Sequence, residues 1–410
     1  MTTATYDVLI VGARCAGAAT ALQLARSGAR VLLIDGARAG TDTMSTHALM
    51  RGAVMLLERW GLAEPLRAAA TPQIERTSFI YGAETIDIAL RPEHGVKTLM
   101  APRRHLLDRM LAGAAAEAGA ELRYETRCAA LIHDPQGRVT GARLTLADGT
   151  TREVSAGLVI GADGKRSRVA RLAGAEVTRQ ARHTVACAFQ YFSGLPNRGF
   201  RWHFTNGAAG GIIPTNDGGS CAFVALPEDS HAALRSAPVQ ALAARHMPRM
   251  AEDMAGAEPA EARVIFAGLK GYMRRCAGPG WALVGDASWF RDPITAHGIT
   301  DAFRDSELLA EAVTSGTLSS YESLRDRLSL PIFELSDRIA SLDWRLDELA
   351  DLHKQLNRAG RVFDAHHRRA LRPCLERPHD PAPRASAEAE PRGDEGGTAR
   401  GAACGCRGET

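Results

Sequence analysis

The chain has no excess of either charge, no long apolar run, no internal repeat and no cysteine cluster. Its 410 residues include 50 lysines and arginines against 47 aspartates and glutamates, a formal net charge of +3. Bulk charge of that size draws in neither nucleic acid nor an anionic bilayer. No stretch approaches the roughly 20 apolar residues that a membrane-spanning helix needs. Met1 to Thr5 lead into a strand pattern without the apolar core of a secretory leader. These absences predict a cytosolic protein that works on a small molecule. Of eight cysteines, six (Cys15, Cys128, Cys187, Cys221, Cys276, Cys374) lie far apart without metal-ligand spacing. In a reducing compartment they read as free thiols packed as small hydrophobes. Cys404 and Cys406 form a Cys-Gly-Cys with no further ligands around it, so no metal site is expected. A chain of this length supports two or three packed units.

What is present begins with a strand–helix–strand opening. Tyr6 to Val11 is a short apolar run, Ala16 to Arg26 has helical spacing that Gly28 stops, and Arg30 to Ile34 is a second apolar run ending at Asp35. Arg103 to Ala118 reads as a helix with Leu106, Leu107, Met110 and Leu111 along one side. Strands are expected at Glu121 to Thr126, Ala129 to His133 and Arg143 to Leu146, and Leu158 to Gly161 is a buried strand running into Ala162-Asp163-Gly164. Thr77 to Leu90 and His183 to Phe266 predict a second, β-rich region in two pieces. Its strands are Val185 to Phe192, Phe200 to Phe204, Cys221 to Leu226 and Arg263 to Ala267, with turns at Gly207 to Gly211 and Asn216 to Gly219. Helical pattern follows Glu307 through Arg358, with a break expected at Pro331. From about Arg377 to Thr410 the chain has few apolar anchors and is expected to be a disordered tail.

The opening carries a dinucleotide fingerprint. Gly12 permits the tight turn after the first strand, Gly17 lets the helix approach the sheet, and Ala21 packs one turn later. A pyrophosphate would rest on the free amides of the helix N-terminus, and Asp35 closes the second strand where a carboxylate accepts ribose hydroxyls. Arg14 stands where the second glycine is expected. Three readings stand for it: a shifted loop, a guanidinium that neutralises the pyrophosphate, or a surface side chain. Asp163, followed by Gly164, is either a turn that caps the next helix, a nucleotide-proximal carboxylate, or both. Arg104, at a helix start, seeks a carboxylate or phosphate, a role for which Arg103 competes, or is solvated.

The second half of a flavin site lies near residue 285. A buried strand, Trp281 to Val284, ends in Gly285-Asp286; a loop with Pro293 follows, and Gly298-Ile299 open an amphipathic helix. Asp286 is placed to hold a ribityl hydroxyl, Pro293 stiffens the loop beside the ring, and the amides near Gly298 and Ile299 can stabilise negative charge on reduced flavin. With the fingerprint, this implies a whole FAD.

Together, Gly12 to Asp35, Arg104 with Asp108, Gly161-Ala162-Asp163-Gly164, and Gly285-Asp286 with Pro293 and Gly298 resemble the FAD-dependent aromatic hydroxylases of the para-hydroxybenzoate hydroxylase type. The likeness covers roughly residues 6 to 315 and extends to the geranylgeranyl reductase-like flavoproteins. More narrowly, Gly12 to Gly17, Ser45-Thr46-His47 and Asp292 to Gly298 look like a bacterial branch of NAD(P)/FAD-dependent oxidoreductases.

The resemblance implies an α/β fold: a Rossmann-like FAD-binding domain (1–75, 101–178 and 268–315), an inserted β-rich substrate domain (76–100 and 179–267), a C-terminal helical segment (316–376) and the tail (377–410). It implies that Asp35 binds adenosine ribose, that Arg104 and Asp163 line the FAD, and that Asp286 holds the ribityl chain. His297 departs from the family pattern; it either bonds the flavin or substrate edge or packs beside the loop. Thr46 and His47 either approach the isoalloxazine or cap and pack. His47, His297 and Pro293 are the catalytic candidates. By the same resemblance NADH or NADPH, binding transiently along the FAD cleft, reduces the flavin, O2 adds to it, and the resulting hydroperoxide hands oxygen to an organic substrate. The alternative is reduction of a C=C bond without oxygen insertion. A halogenase is disfavoured, since the chain lacks a Trp-x-Trp-x-Ile-Pro segment and a lysine in the pocket strands. Trp202, His203, Phe204, Ile213, Pro214 and Phe223 are the pocket candidates, although strand alternation turns half of any such run toward an ordinary core.

Overall fold

A computed structural model describes residues 4–43, 45–93 and 95–375. The chain opens with β1 (Ala4–Val11), α1 (Cys15–Arg26) and β2 (Val31–Ile34), then α2 (Arg51–Trp60), α3 (Ala63–Ala68) and the hairpin β3 (Arg76–Tyr81) and β4 (Glu84–Ala89). After α4 (Arg104–Glu117) come β5 (Glu121–Arg123), β6 (Arg127–His133), β7 (Val139–Thr145), β8 (Thr151–Gly161) and α5 (Arg168–Leu172). Strands β1, β2, β5 and β8 pair in parallel, in the order β8-β1-β2-β5. All four residues of β2 and the last four of β1 are buried, as expected of interior parallel strands covered on both faces.

A second sheet follows β9 (Val177–Gln180): β10 (Val185–Ser193), β11 (Phe200–Thr205), β12 (Ala208–Pro214) and β13 (Ser220–Pro227), then the short helices α6 (His231–Ser236), α7 (Val239–His246) and α8 (Pro248–Asp253) and the strands β14 (Glu258–Pro259) and β15 (Val264–Phe266). Its order is β14-β10-β13-β12-β11-β3-β4, so the early hairpin completes a sheet built mainly from later chain. Alternation splits its side chains. Tyr191, Trp202, Phe204, Ile213 and Phe223 join the main core with the first sheet, whereas Ala188, Phe192, Ile212 and Val224 pack on Leu234, Leu242 and Met250 of the short helices.

The stretch expected as a turn at Gly207 to Gly211 is mostly the central strand β12. Only Asn206 and Gly207 turn the chain. A Cβ on Gly210 would stand 2.7 Å from the Met250 sulfur, and one on Gly211 would stand 2.7 Å from the Phe223 ring. These glycines make room for neighbours and do not reverse the chain.

Strands β17 (Ala277–Gly278) and β18 (Trp281–Leu283) return the chain to the first sheet, where β18 pairs in parallel with β8, while β16 (Tyr272–Arg274) and β19 (Trp289–Phe290) pair with β9 in a third, three-stranded sheet. Helices α9 (Gly298–Thr314), α10 (Leu318–Ala340) and α11 (Leu346–Leu375) follow. The break expected at Pro331 does not occur. Proline removes one helical hydrogen bond, but Leu328, Ile332, Phe333 and Ile339 are buried around it and hold α10 together. The interruptions lie instead at Ser315–Thr317 and Ser341–Arg345. Leu349, Leu352 and Leu356 bring α11 into the main core. From His367 onward α11 belongs to a separate unit. The tail expected from Arg377, with its Cys-Gly-Cys, lies outside the described residues. Cys15, Cys128, Cys187, Cys221 and Cys276 are buried free thiols, as expected.

Candidate active site

Three remote loops meet at backbone distance. Gly12, at φ +109°, donates its N–H to the Ile34 carbonyl at 2.7 Å, and a Cβ there would lie 2.4 Å from the Ala162 oxygen. On Gly17 a Cβ would fall 1.8 Å from the Gly12 oxygen, and on Gly285, at φ +60°, 2.7 Å from the Ala16 Cβ. The glycine loop, the end of β8 and the turn after β18 therefore touch where only glycine fits. Arg14 is the N-cap residue of α1 and supplies no side-chain cap, so the first-turn amides have no side-chain acceptor at the cap. A cleft lined by Ala13, Arg14, Asp35, Arg38, His105 and Tyr124 runs past this helix end. Asp35 accepts the main-chain N–H of Ala13 and of Ala37, each at 2.8 Å, and so ties the glycine loop to the end of β2.

Arg104 pairs with Asp108 one turn on at 3.0 Å, and Asp108 also accepts the Cys15 thiol at 3.2 Å. Burial and the facing carboxylate push the Cys15 thiol well up, so it stays protonated as a donor. Asp286 lies close enough to Lys165 and Arg104 for both to act on its charge, yet burial dominates and raises its carboxyl to about 6. The loops bearing Lys165 and Asp286 are joined by one hydroxyl: Tyr272 Oη donates to their main-chain oxygens at 2.9 and 2.7 Å. The Lys165 ammonium sits over the rings of Phe266 (4.8 Å) and Phe290 (5.1 Å). Asp163 is occupied differently: its carboxylate accepts the Ser167 hydroxyl and the N–H groups of Arg168 (2.6 Å) and Val169 (3.2 Å) at the start of α5.

The loop before α9 is fixed by Asp292, which accepts Ile294 N–H at 3.0 Å and, from the second sheet, Thr184 Oγ1 and Val185 N–H at 2.9 Å. Pro293 starts the turn, and Ala296 adopts a left-handed conformation at φ +54°, uncommon for a residue with a Cβ. His297 is the N-cap residue of α9. Its Nδ1 bonds the Thr295 carbonyl, and burial with the nearby Arg291 charge lowers it to about 3, so the ring is neutral. Behind the helix start, Asp301 binds Arg291 at 2.6 Å, and Arg304 binds Asp305 at 2.7 Å, all four buried. At the helix mouth, a Cβ on Gly298 would meet nothing within 4 Å. The Thr295 and Thr300 hydroxyls are buried without hydrogen-bond partners.

His47, left-handed at φ 46°, stacks on Tyr191 with ring centroids 5.7 Å apart and meets its hydroxyl at 3.0 Å. Burial lowers this histidine to about 3. Arg103 covers the Tyr191 ring at 3.8 Å while binding Asp42 and Glu261. Of the pocket candidates, Trp202, Phe204, Ile213 and Phe223 share this face. His203 does not: it points to the short helices, with Nε2 3.1 Å from Asp253 of α8. Pro214, next to Ile213 in β12, alternates to the opposite face from it. Tyr191 and Tyr272 are additions that sequence reasoning missed; Lys165 follows Gly164 in a segment already singled out, and Arg103 already competed with Arg104 for an anion-binding role.

The residues present fit a flavin dinucleotide. The abutting glycines leave no room for a side chain, the α1 amides suit a pyrophosphate, and the Thr295 and Thr300 hydroxyls near the open Gly298 have bonding capacity left for a polar ring edge. The chain belongs to the FAD binding domain family, whose pattern matches residues 5–328. It is an FAD-dependent oxidoreductase. Menaquinone reductase of Mycolicibacterium smegmatis is 30% identical over 334 residues, covering 77% of this chain and 78% of that protein. Digeranylgeranylglycerophospholipid reductase of Methanosarcina mazei is 30% identical over 324 residues, covering 75% and 74%. Among solved structures, a triple mutant of the flavin-dependent brominase Bmp2 superposes with a TM-score of 0.74 at 20% identity, over 91% of this chain and 100% of that one. P. aeruginosa PqsL in complex with 2-aminobenzoylacetate gives a TM-score of 0.72 at 20% identity, over 85% and 100%. At those identities the structures establish the shared fold.

Proposed function

We propose that the chain is a NADH- or NADPH-driven monooxygenase that hydroxylates an aromatic or polyketide-like small molecule in the cytosol. The observation that carries this reading is the aromatic face of Tyr191, Trp202, Phe204 and Phe223, which shares one core with Ile294 and Ile299 at the mouth of α9. Such a wall keeps water out and offers flat surfaces to a planar ring. FAD, when bound, would supply the redox chemistry, in which two electrons from the nicotinamide and O2 yield a hydroxylated product and water.

The chain's own residues bind, orient and tune. Asp35 takes the adenosine ribose hydroxyls, Arg14 and Arg104 face the pyrophosphate, and Asp286 holds a ribityl hydroxyl. The Gly298 and Ile299 amides at the positive end of α9 stabilise negative charge at the ring edge. Neutral His47 and His297 offer hydrogen bonds without adding charge, and Pro293 keeps the loop in place. In this reading segments 1–75, 101–178 and 268–315 hold the cofactor, and segments 76–100 and 179–267 hold the substrate.

The second reading is a reductase that saturates a C=C bond, and the two 30%-identical reductases favour it. NAD(P)H oxidation, oxygen uptake and product mass, measured together on a panel of phenolic and polycyclic compounds, separate the two. Oxygen uptake with a product one oxygen atom heavier is the expected result. A product that gains two hydrogens and no oxygen would replace the first reading with the second.

A further inference from the structure

The C-terminal helix brings one side chain into the aromatic wall that neither the fingerprint nor the flavin loops account for. His353 of α11 lies among three rings of the second sheet: Phe204 with centroids 4.8 Å away, Phe79 at 5.6 Å and Tyr81 at 5.9 Å. Its Nδ1 is 2.8 Å from the Tyr81 hydroxyl, across 272 residues of sequence. Both partners are in the states this bond needs. Burial, with His297 as the second cause, lowers the imidazole to about 4, so it is neutral. Burial raises the Tyr81 phenol, so it keeps its proton. A neutral ring that accepts the Tyr81 proton at Nδ1 carries its own proton on Nε2. Leu349, Leu352 and Leu356 fix the helix that carries it, and Trp344 closes the side of Phe204 at 6.4 Å.

We propose that His353 is a substrate-binding residue whose Nε2–H donates to an acceptor oxygen on an otherwise apolar, aromatic ligand, with Tyr81 as the positioning residue that fixes the tautomer. The inference rests on the reading of this sheet face as the substrate wall and adds to it the polar group that orients the ring. A site built around one half-buried donor that a bound ligand covers favours the ligand that satisfies it over an isostere that leaves it unpaired.

The test uses FAD-loaded protein, the perturbation of its flavin absorption, and three probes: naphthalene, 2-methoxynaphthalene, which only accepts, and 2-naphthol. The wild type is expected to bind the two oxygenated probes about tenfold more tightly than naphthalene. His353→Leu should erase that preference while leaving naphthalene affinity and FAD content unchanged. His353→Gln, which keeps an N–H near Nε2, should restore part of it, and Tyr81→Phe should weaken it without abolishing naphthalene binding. Three results would each overturn the proposal: no preference in the wild type, an equal loss of all three probes in His353→Leu, or no flavin perturbation by any probe. Failure here leaves the oxygen-uptake and product-mass result untouched, so it is distinguishable from failure of the hydroxylase reading.

Discussion

The Tyr272 hydroxyl lies 2.7 Å from the main-chain oxygen of Asp286 and shares its proton with the oxygen of Lys165, 2.9 Å away. One side chain thus fixes the spacing of two loops that are more than a hundred residues apart in sequence. Tyr272→Phe keeps the ring and its packing under the Arg274 guanidinium. It removes hydrogen bonds worth about 1 kcal/mol each. FAD titration of the apoprotein should show weaker binding by about tenfold with a small fall in melting temperature. Unchanged FAD affinity would mean that the loops hold their spacing without it.

Asp286 makes stability depend on pH in a defined direction. Its folded carboxyl titrates at about 6, above the ordinary 3.8. The folded state therefore holds the proton more tightly than the unfolded chain. The resulting stabilisation is complete at low pH and lost as pH rises through about 6. Asn at this position mimics the protonated acid and does not lose it. In urea melts of the FAD-free proteins, Asp286→Asn should match the wild type near pH 4, gain on it as pH rises to about 6, and hold a constant advantage from there to about pH 8. An advantage that shrinks as pH rises would contradict the assignment.

Gly17→Ala places a methyl group 1.8 Å from the Gly12 oxygen, which is backbone and has no rotamer to yield. The loop must shift, at a cost of about 1–3 kcal/mol. Both the thermal midpoint and the FAD content of the purified variant should fall. Retention of both would show that the loop has slack.

Asp301→Ala removes the carboxylate 2.6 Å from buried Arg291. An ion pair broken on one side in the interior costs about 3–5 kcal/mol. Chemical denaturation should show a loss of that size, whereas Glu153→Ala, an exposed partner of Arg143 at 2.9 Å, should change stability by less than about 1 kcal/mol.

The Rossmann-like half was legible because interior parallel strands must be continuously apolar and because Gly12, Gly17 and Gly285 stand where a side chain has no space. Strand β12 was not: Gly210 and Gly211, which admit Met250 and the Phe223 ring, carry the same letters as turn glycines. Pro331 misled for the opposite reason, since the buried face of α10 outweighs one missing hydrogen bond. The turn that bears Asp286 after β18 and the opening of α9 at Gly298 could be read from local pattern. Cys15 was read as a small hydrophobe, but its thiol also serves Asp108. His353 and Tyr272 gave no sequence signal, since their partners are set by how the sheets pack.

The flavin content of the purified chain, with and without Asp286, tests the central assignment most directly. After reconstitution the wild type should be yellow with one FAD per chain and should bleach when NADH or NADPH is added under argon. Asp286→Ala should keep its far-UV circular dichroism while losing most of the FAD. A wild type that stays colourless after reconstitution, or an Asp286→Ala protein with full FAD occupancy, would contradict it.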